Sequence, residues 1–441
     1  MEQAYRRELR LMPHILKMEQ RGIKLDGVSL QKDTDYYWRI LDIIDDKIQE
    51  KLGGSVDVDS NNDLADAIER AGLSKGFATT PTGKRSTAKE SLVNAISDPE
   101  LLGLLLVRGS VATCLRTFFQ PWLVQYQAHG RLYMKWNQIR NYTDTGARTG
   151  RLSSSPNLQN IPVEWEGLRA QLAAKGFDLN SIEEGFDLPS MRKYIIPDDG
   201  HIFVGRDYSA QEMKLLAHFT DGALLKALQD DPGKDIHLIA AGIAGITRKV
   251  AKTLGFAVLY GAGVGRISES LSIPVSEATS IKQRYLAALP EIKAFQQQLT
   301  ANARMKMFTE TLGGRRYYSQ QPAVVNGVMR SFEYKLTNYK IQGSAADQTK
   351  QAMIDFCEST TSGELVLSVH DQLVIQCPLD KLELERAVLE KAVNGSFQEV
   401  LKYEVRSDES VGYNFAEMID QDPGTGVTHQ TTGLPQNKAR V

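Results

Sequence analysis

Cysteine is scarce in this chain. Three residues in 441 (Cys114, Cys357 and Cys377) are too few and too scattered for a disulfide framework, and no Cys/His spacing marks a zinc site. Met1 is followed by charged residues, and no run of about 18 apolar residues offers a bilayer span, so secretion and membrane insertion are not expected. A basic surplus is missing too: 52 basic residues against 54 acidic give a net charge of −2, which argues mildly against a generic nucleic-acid binder. A total does not reveal segregation, however, and a basic groove beside an acidic exterior fits the same sum.

What remains is a globular chain, 42% hydrophobic and long enough for several domains in a reducing cytoplasm. Residues 1 to 130 read as helical, with apolar residues at three and four spacing from Arg6 to Gln20 and from Asp35 to Leu52. Ser60 followed by Asp63 forms a capping box that opens Leu64 to Ala71, while Thr79 to Thr87 is polar and basic and reads as a mobile loop carrying Lys84 and Arg85. The stretch NYTDTGARTGRLSSSPNLQNIP (141–162) is an extended polar segment with Arg148 and Arg151. HIFVGRDYS (201–209) reads as a strand ending at Asp207, followed by a helix over QEMKLLAHF (211–219). Residues 221–345 read as mostly helical with a turn at Gly313 and Gly314. ELVLSVHDQLVIQCP (364–378) reads as two strands joined at His370 and Asp371, and Leu382 to Leu401 as a long helix. From Gln421 the chain is rich in Gly, Thr, Gln and Pro, the composition of a flexible tail.

Two local patterns carry chemistry. Asp207 and Asp371 both end or join strands, where carboxylates project from a sheet edge, and paired hard oxygen donors suit two magnesium ions at a phosphoryl-transfer centre. The bland alternative is that each aspartate merely ends a strand or caps a turn. In TRKVAKTLGFAVLYGAG (247–263), Thr247 is an N-cap and Gly261 a stop, and Arg248, Lys252, Phe256 and Tyr260 recur every fourth residue along one helix face. Cations at a helix N-terminus oppose its dipole, an arrangement that makes sense if a polyanion docks there and a base stacks on the aromatics. Alternatively, the aromatics are core and the cations snorkel to solvent.

Taken together, DYSAQEMK (207–214), the Arg248/Lys252/Phe256/Tyr260/Gly261 series and VHDQ (369–372) resemble the three motifs of the family A DNA polymerases. TGRLSSSPNLQNIP, DIH (235–237), TLGGRRYY (311–318) and NYKIQGSAAD (338–347) match in the same order. The resemblance spans roughly residues 10 to 418. It implies an α+β right-hand fold with helical thumb, antiparallel-sheet palm and helical fingers. The thumb and its lead-in would occupy 1–130, the palm 131–220 and 336–420, the fingers 221–335 and a flexible tail 421–441.

By the same resemblance, Asp207, Asp371 and the Tyr208 backbone carbonyl would hold two Mg2+ ions, for which Mn2+ would substitute. Arg248, Lys252 and His237 would grip the triphosphate, with Lys252 protonating the departing pyrophosphate. Tyr208 and Ser209 would also border the nucleotide. Glu212 would exclude a ribose 2′-hydroxyl, Phe256 would pack on the incoming sugar and Tyr260 would lie near the templating base. Arg151, Asn338, Gln342, His370 and Gln372 would contact the primer end and the minor groove, whose acceptors are common to all correct pairs.

Gln372 stands where the family usually has Glu, so on this reading a third carboxylate is not essential. Residues 163–188 look like an insertion, and the short fingers segment and YGAG look phage-like. HILKMEQRGIKLD (14–26) resembles the segment that follows the family's exonuclease domain, so proofreading is not expected within this chain; DVDSNND (57–63) is a helix cap rather than a set of exonuclease carboxylates. The implied partners are primer-template DNA, deoxynucleoside triphosphates and a replisome or processivity factor, with no membrane and a monomeric state, in a bacterial or host cytoplasm. Two rivals remain: a single-subunit RNA polymerase, opposed by Glu212, and a catalytically idle DNA-binding relative, opposed by the intact Asp207, Asp371, Arg248 and Lys252.

Overall fold

The computed structural model describes residues 1–79, 83, 85–162, 165–325 and 327–418, so the expected tail at 421–441 lies outside the described residues. Helix α1 (Glu2–Arg21) buries Ala4, Leu11, Ile15 and Met18, the three- and four-residue spacing of one face. Helix α2 (Gly27–Leu52) begins well before the expected Asp35 because Asp26 caps it, its carboxylate accepting from the Ser29 N–H. Ser60 opens the next helix as read, its Oγ accepting from the Asp63 N–H at 3.4 Å. In the neighbouring loop Arg85 is tied to Asp66 and Glu69, while Lys84 lies outside the described residues.

One expectation is corrected here. The continuous helical run Pro99–His129 is long and apolar enough, by length and composition, to cross a bilayer, yet 72% of its apolar window is buried inside the protein. It is a core helix. Its first part, α3 (Pro99–Thr113), packs on α2, and Arg108 and Arg116 hold Asp45 and Asp59. Gly103 admits the Phe177 ring so closely that a Cβ there would sit 2.1 Å from it. Phe177 belongs to the 163–188 segment, which therefore has a structural role: Leu168, Leu172, Phe177, Ile182 and Phe186 are buried in the core, and Glu183 pairs with Arg39 of α2.

The functional end of the molecule is built on a four-stranded antiparallel sheet of β1 (His201–Asp207), β2 (Glu364–Val369), β3 (Gln372–Pro378) and β4 (Asp408–Gly412), in the order β2-β3-β1-β4. The interior of β1 and nearly all of β3 are buried on both faces, which is why they read as continuous apolar runs rather than alternating ones. Ile202, Val204, Val374 and Ile375 are fully buried, each contributing roughly 1.5–3 kcal/mol. Around this sheet the chain forms α4 (Gln211–Thr220), α5 (Ile236–Ala244), α6 (Arg248–Tyr260), α7 (Lys335–Ser359) and α8 (Leu382–Gly395); α7 and α8 pack on the strands, α4 and α6 pack on α7, and α5 packs on α6.

Helix α8 stops short of the expected Leu401. The apolar period runs on through Val400 and Leu401, but Phe397 adopts a left-handed φ of 60° and the chain turns. The described residues between 308 and 330 are not helical either. Phe308–Glu310 pairs with Arg316–Tyr318 across the turn at Gly313 and Gly314, and Ala323–Val325 pairs with Val328–Arg330.

His218, near the end of α4, gives the fold a pH dependence. Its Nδ1 accepts from the Lys402 backbone N–H at 3.2 Å, so the buried ring serves as a neutral acceptor. Burial, with Lys402 and Lys340 adding to it, lowers its pKa to about 4, whereas the unfolded ring titrates near 6.5. The unfolded chain then binds more protons between those values, so this contribution is complete above about pH 6.5 and is lost as pH falls toward about 4. Denaturation measured from pH 7 to 4.5 should show a slope that His218→Asn reduces by about one proton; identical slopes would contradict the assignment.

Candidate functional site

The register of the sheet sets the site. Asp207, the last residue of β1, is paired with Gln372 on β3 and with Asp408 on β4. Asp371 occupies the tight turn between β2 and β3, and its carbonyl accepts from the Tyr208 N–H at 3.3 Å, which brings the two aspartate-bearing segments together. Both segments include a non-glycine residue in the left-handed region, Ala210 at φ 52° and His370 at φ 56°. Such conformations cost on the order of 1–3 kcal/mol each and persist where surrounding structure holds them. The sequence-predicted pair therefore sits on two strained turns at one end of the sheet.

Burial raises the pKa of the half-buried Asp371 carboxyl, and the Arg151 guanidinium opposes that rise. Arg151 also donates to Glu212 Oε1 at 2.6 Å. Glu212 is buried, which raises its pKa against the same arginine, and Asp371 adds to the rise. The Tyr260 hydroxyl donates to Glu212 Oε2 at 3.1 Å, and Gln342 Nε2 donates to the Tyr260 oxygen at 2.8 Å. Four of the residues singled out from sequence thus form one hydrogen-bonded chain, contributed by the 141–162 segment, α4, α6 and α7.

Helix α6 presents its stripe as read. Thr247 caps it through the Val250 N–H, and Gly261 ends it at φ 67°. Gly255 lets the helix settle against Met213, where a Cβ would meet Sδ at 2.8 Å, so α6 lies directly on the helix that carries Glu212. Phe256 stacks on Tyr260 at 6.1 Å between centroids and is 6.0 Å from the buried His237 ring. Neither wholly core nor wholly exposed, Phe256 is half-buried, whereas Tyr260 is 44% exposed and Lys252 lies at the surface.

Sequence reasoning missed Asp235, although it quoted the DIH text around it. One Asp235 oxygen caps α5 by accepting from the N–H groups of His237 and Leu238, and the other accepts from Arg248 Nε at 2.8 Å. Burial works against the charge of this carboxylate, but Arg248 and the two N–H groups more than offset it and hold the pKa below the usual range. Asp235 thereby couples α5 to the N-terminus of α6.

Three of the expected contact residues have hydrogen-bond partners within the chain. The Tyr208 ring is buried with its hydroxyl donating to the Val393 carbonyl at 2.9 Å, so only its backbone remains for a ligand. Gln372 is buried and donates to the Met418 carbonyl at 3.4 Å. Ser209 donates its hydroxyl proton to Asp408, a carboxylate that sequence reasoning did not identify. Asn338 is half-buried on α7, one turn before Gln342, and His370 shares a small cavity with Arg151 and Gln159.

Comparison with known proteins identifies the family and the fold. The model of DNA polymerase family A matches residues 29–417. Over 397 residues the chain is 32% identical to DNA polymerase I of Deinococcus radiodurans, covering 87% of this chain and 39% of that protein. It is 30% identical over 395 residues to the thermostable DNA polymerase I of Thermus filiformis, covering 86% and 44% respectively. The chain thus spans less than half the length of these relatives. Among solved structures, the POL domain of Pol1 from M. smegmatis, in complex with DNA primer-template and dNTP, superimposes with a TM-score of 0.76 at 22% identity, over 93% of this chain and 70% of that one. The α+β polymerase-domain fold is the one that the sequence resemblance implied.

Proposed function

We propose, because the chain belongs to DNA polymerase family A, that it adds deoxynucleotides to a primer 3′-hydroxyl under the direction of a template strand. The observation that carries this reading is the Arg151–Glu212–Tyr260–Gln342 chain, which joins the sheet end bearing Asp207 and Asp371 to the helix face bearing Arg248 and Lys252. On this reading residues 1–130 act as thumb, 131–220 and 336–420 as palm, and 221–335 as fingers.

Asp207, Asp371 and the Tyr208 carbonyl are hard oxygen donors, the set that suits Mg2+. Among the described residues no group of three or more His, Cys, Asp or Glu stands close enough to hold an ion, so substrate oxygens and water would complete the coordination. When bound, divalent ions supply charge neutralisation at the phosphates and a lowered pKa at the primer hydroxyl. The chain's own residues do the rest. Arg248, released from Asp235, and Lys252 bind the triphosphate at the N-terminus of α6, where helix dipole and cations act in the same direction. On this reading Lys252 protonates the leaving pyrophosphate. Phe256 and Tyr260 line the sugar and base, and Arg151 and Gln342 hold the primer end.

Glu212 closes the floor beneath the sugar, held there by Arg151 and Tyr260. A 2′-hydroxyl meeting this carboxylate is the source of deoxynucleotide preference. Primer extension with Mg2+, run in parallel with deoxynucleotides, ribonucleotides and no nucleotide, tests the whole reading. Template-directed deoxynucleotide addition is the expected result, and ribonucleotide addition at a comparable rate points instead to an RNA polymerase. In the same assay Glu212→Ala should shift the ribo-to-deoxy ratio by at least about tenfold, about 1.4 kcal/mol of discrimination. An unchanged ratio removes Glu212 from that role. The arm without nucleotide reports whether the chain shortens a primer.

A further inference from the structure

Directly opposed residues in an antiparallel ladder project to the same face, with Cβ atoms about 4.5–5.5 Å apart. Gln372, Asp207 and Asp408 therefore form a row across β3, β1 and β4. Only one flank of Asp207 is charged. The Gln372 amide lies back over Gly205, where an added Cβ would be 3.3 Å from Nε2, and is committed to the Met418 carbonyl. Asp408, on the other flank, accepts the Ser209 hydroxyl proton and makes no ion pair within 4 Å with any described residue. Two acidic side chains held opposite each other in a ladder concentrate negative charge at this end of the sheet.

A buried cation also acts on Asp408. Lys214 on α4 is only 7% exposed and makes no side-chain hydrogen bond or ion pair with any described residue. The carboxylates acting on it are Asp408 and Asp235, the latter being the group that holds Arg248. Lys214 thus feels both Asp408 and the carboxylate that holds Arg248.

We propose that Asp408 is a positioning residue for the metal centre, fixing Ser209 and adding a negative charge beside Asp207 that strengthens divalent-cation binding without itself ligating the ion. The absence of a three-carboxylate group among the described residues fits action from outside the coordination sphere. This inference rests on the polymerase reading above.

The test is a Mn2+ titration followed by electron paramagnetic resonance, on the full chain with a dideoxy-terminated primer-template and the matching dNTP, so that no turnover occurs. Asp408→Asn should weaken Mn2+ binding about tenfold. The conservative variant Asp408→Glu, which keeps the charge on the same flank of Asp207, should hold the affinity to within about threefold of the parent. Thermal midpoints taken alongside separate this from a structural role. If D408N binds Mn2+ as the parent does, or if Asp408→Glu loses as much affinity as D408N, Asp408 serves merely to neutralise Lys214 and the inference is overturned. A parent chain that fails to extend an ordinary primer overturns the polymerase reading itself, whereas normal extension with an unchanged D408N titration overturns only this proposal.

Discussion

Asp371→Asn is expected to stop primer extension while leaving primer-template binding intact. The substitution keeps the shape of the side chain and removes one negative charge from the end of the sheet. Each factor of ten in rate corresponds to about 1.4 kcal/mol of barrier, and a divalent ion supplies several kcal/mol at a phosphoryl-transfer centre, so a loss of about a thousandfold in single-turnover rate is expected. Binding should persist, because affinity for the duplex comes largely from phosphate contacts made by basic residues elsewhere and falls steeply with salt in both proteins. Stability should not suffer. Burial raises the Asp371 pKa, which means that the folded state disfavours its charge, and this unfavourable term grows as pH rises past the ordinary carboxylate value. At neutral pH the neutral Asn relieves it, so the variant's thermal midpoint should equal or exceed that of the parent, the usual trade between stability and function at a charged site. Fluorescence anisotropy, quenched-flow extension and calorimetry read the three quantities separately. Extension at the parental rate would remove Asp371 from the metal centre.

The parts of the site that could be read from sequence are those in which chemistry follows local periodicity. A stride of four put Arg248, Lys252, Phe256 and Tyr260 on one face, and apolar runs ending in acidic residues marked β1 and the β2–β3 turn. What escaped is non-local. Asp408 lies on a strand whose text, DESVG, has one β-branched apolar residue and no alternation, and it meets Asp207 only through sheet register. Asp235 and Arg248 are on different helices, so no helical spacing links them. The hairpins at 308–318 and 323–330 are short, and the second is exposed throughout its described residues, so neither carries the apolar alternation by which strands are recognised. The end of α8 was overrun for the opposite reason, since apolar residues continue past a turn that only backbone conformation reveals.

Buried charge was the hardest feature to foresee, and it leads to the largest expected change in stability. Asp347, on the helix that also carries Asn338 and Gln342, has no exposed surface. Its Oδ2 accepts from the Thr311 hydroxyl at 2.5 Å and the Gly313 N–H at 3.2 Å, while Oδ1 pairs with Arg7 at 3.2 Å and Arg315 at 3.3 Å. Glu8 completes the network by pairing with Arg315 and with the buried Lys350. The ammonium of Lys350 is pushed down to about 8 by burial, against the pull of Glu8. Three cations share two carboxylates, so removing Asp347 leaves Arg7 and Arg315 buried with half their compensation gone. Breaking a buried pair in this way costs roughly 3–5 kcal/mol, and Asp347→Ala should lose that much in urea denaturation. Gly313 constrains the alternatives, because a Cβ there would sit 2.7 Å from the Asp347 carboxyl and the turn has no room to refill the space. The network also reaches the site: it fixes the Gly313–Arg315 turn, after which the Tyr317 hydroxyl donates to the Thr149 carbonyl, two residues before Arg151. Asp347→Ala should therefore weaken primer-end binding as well as the fold, whereas Asp347→Asn, which keeps the acceptor for Thr311 and Gly313, should lose less of both. A destabilisation below about 1 kcal/mol for the alanine variant would show that water or a rearranged Glu8 replaces the lost charge.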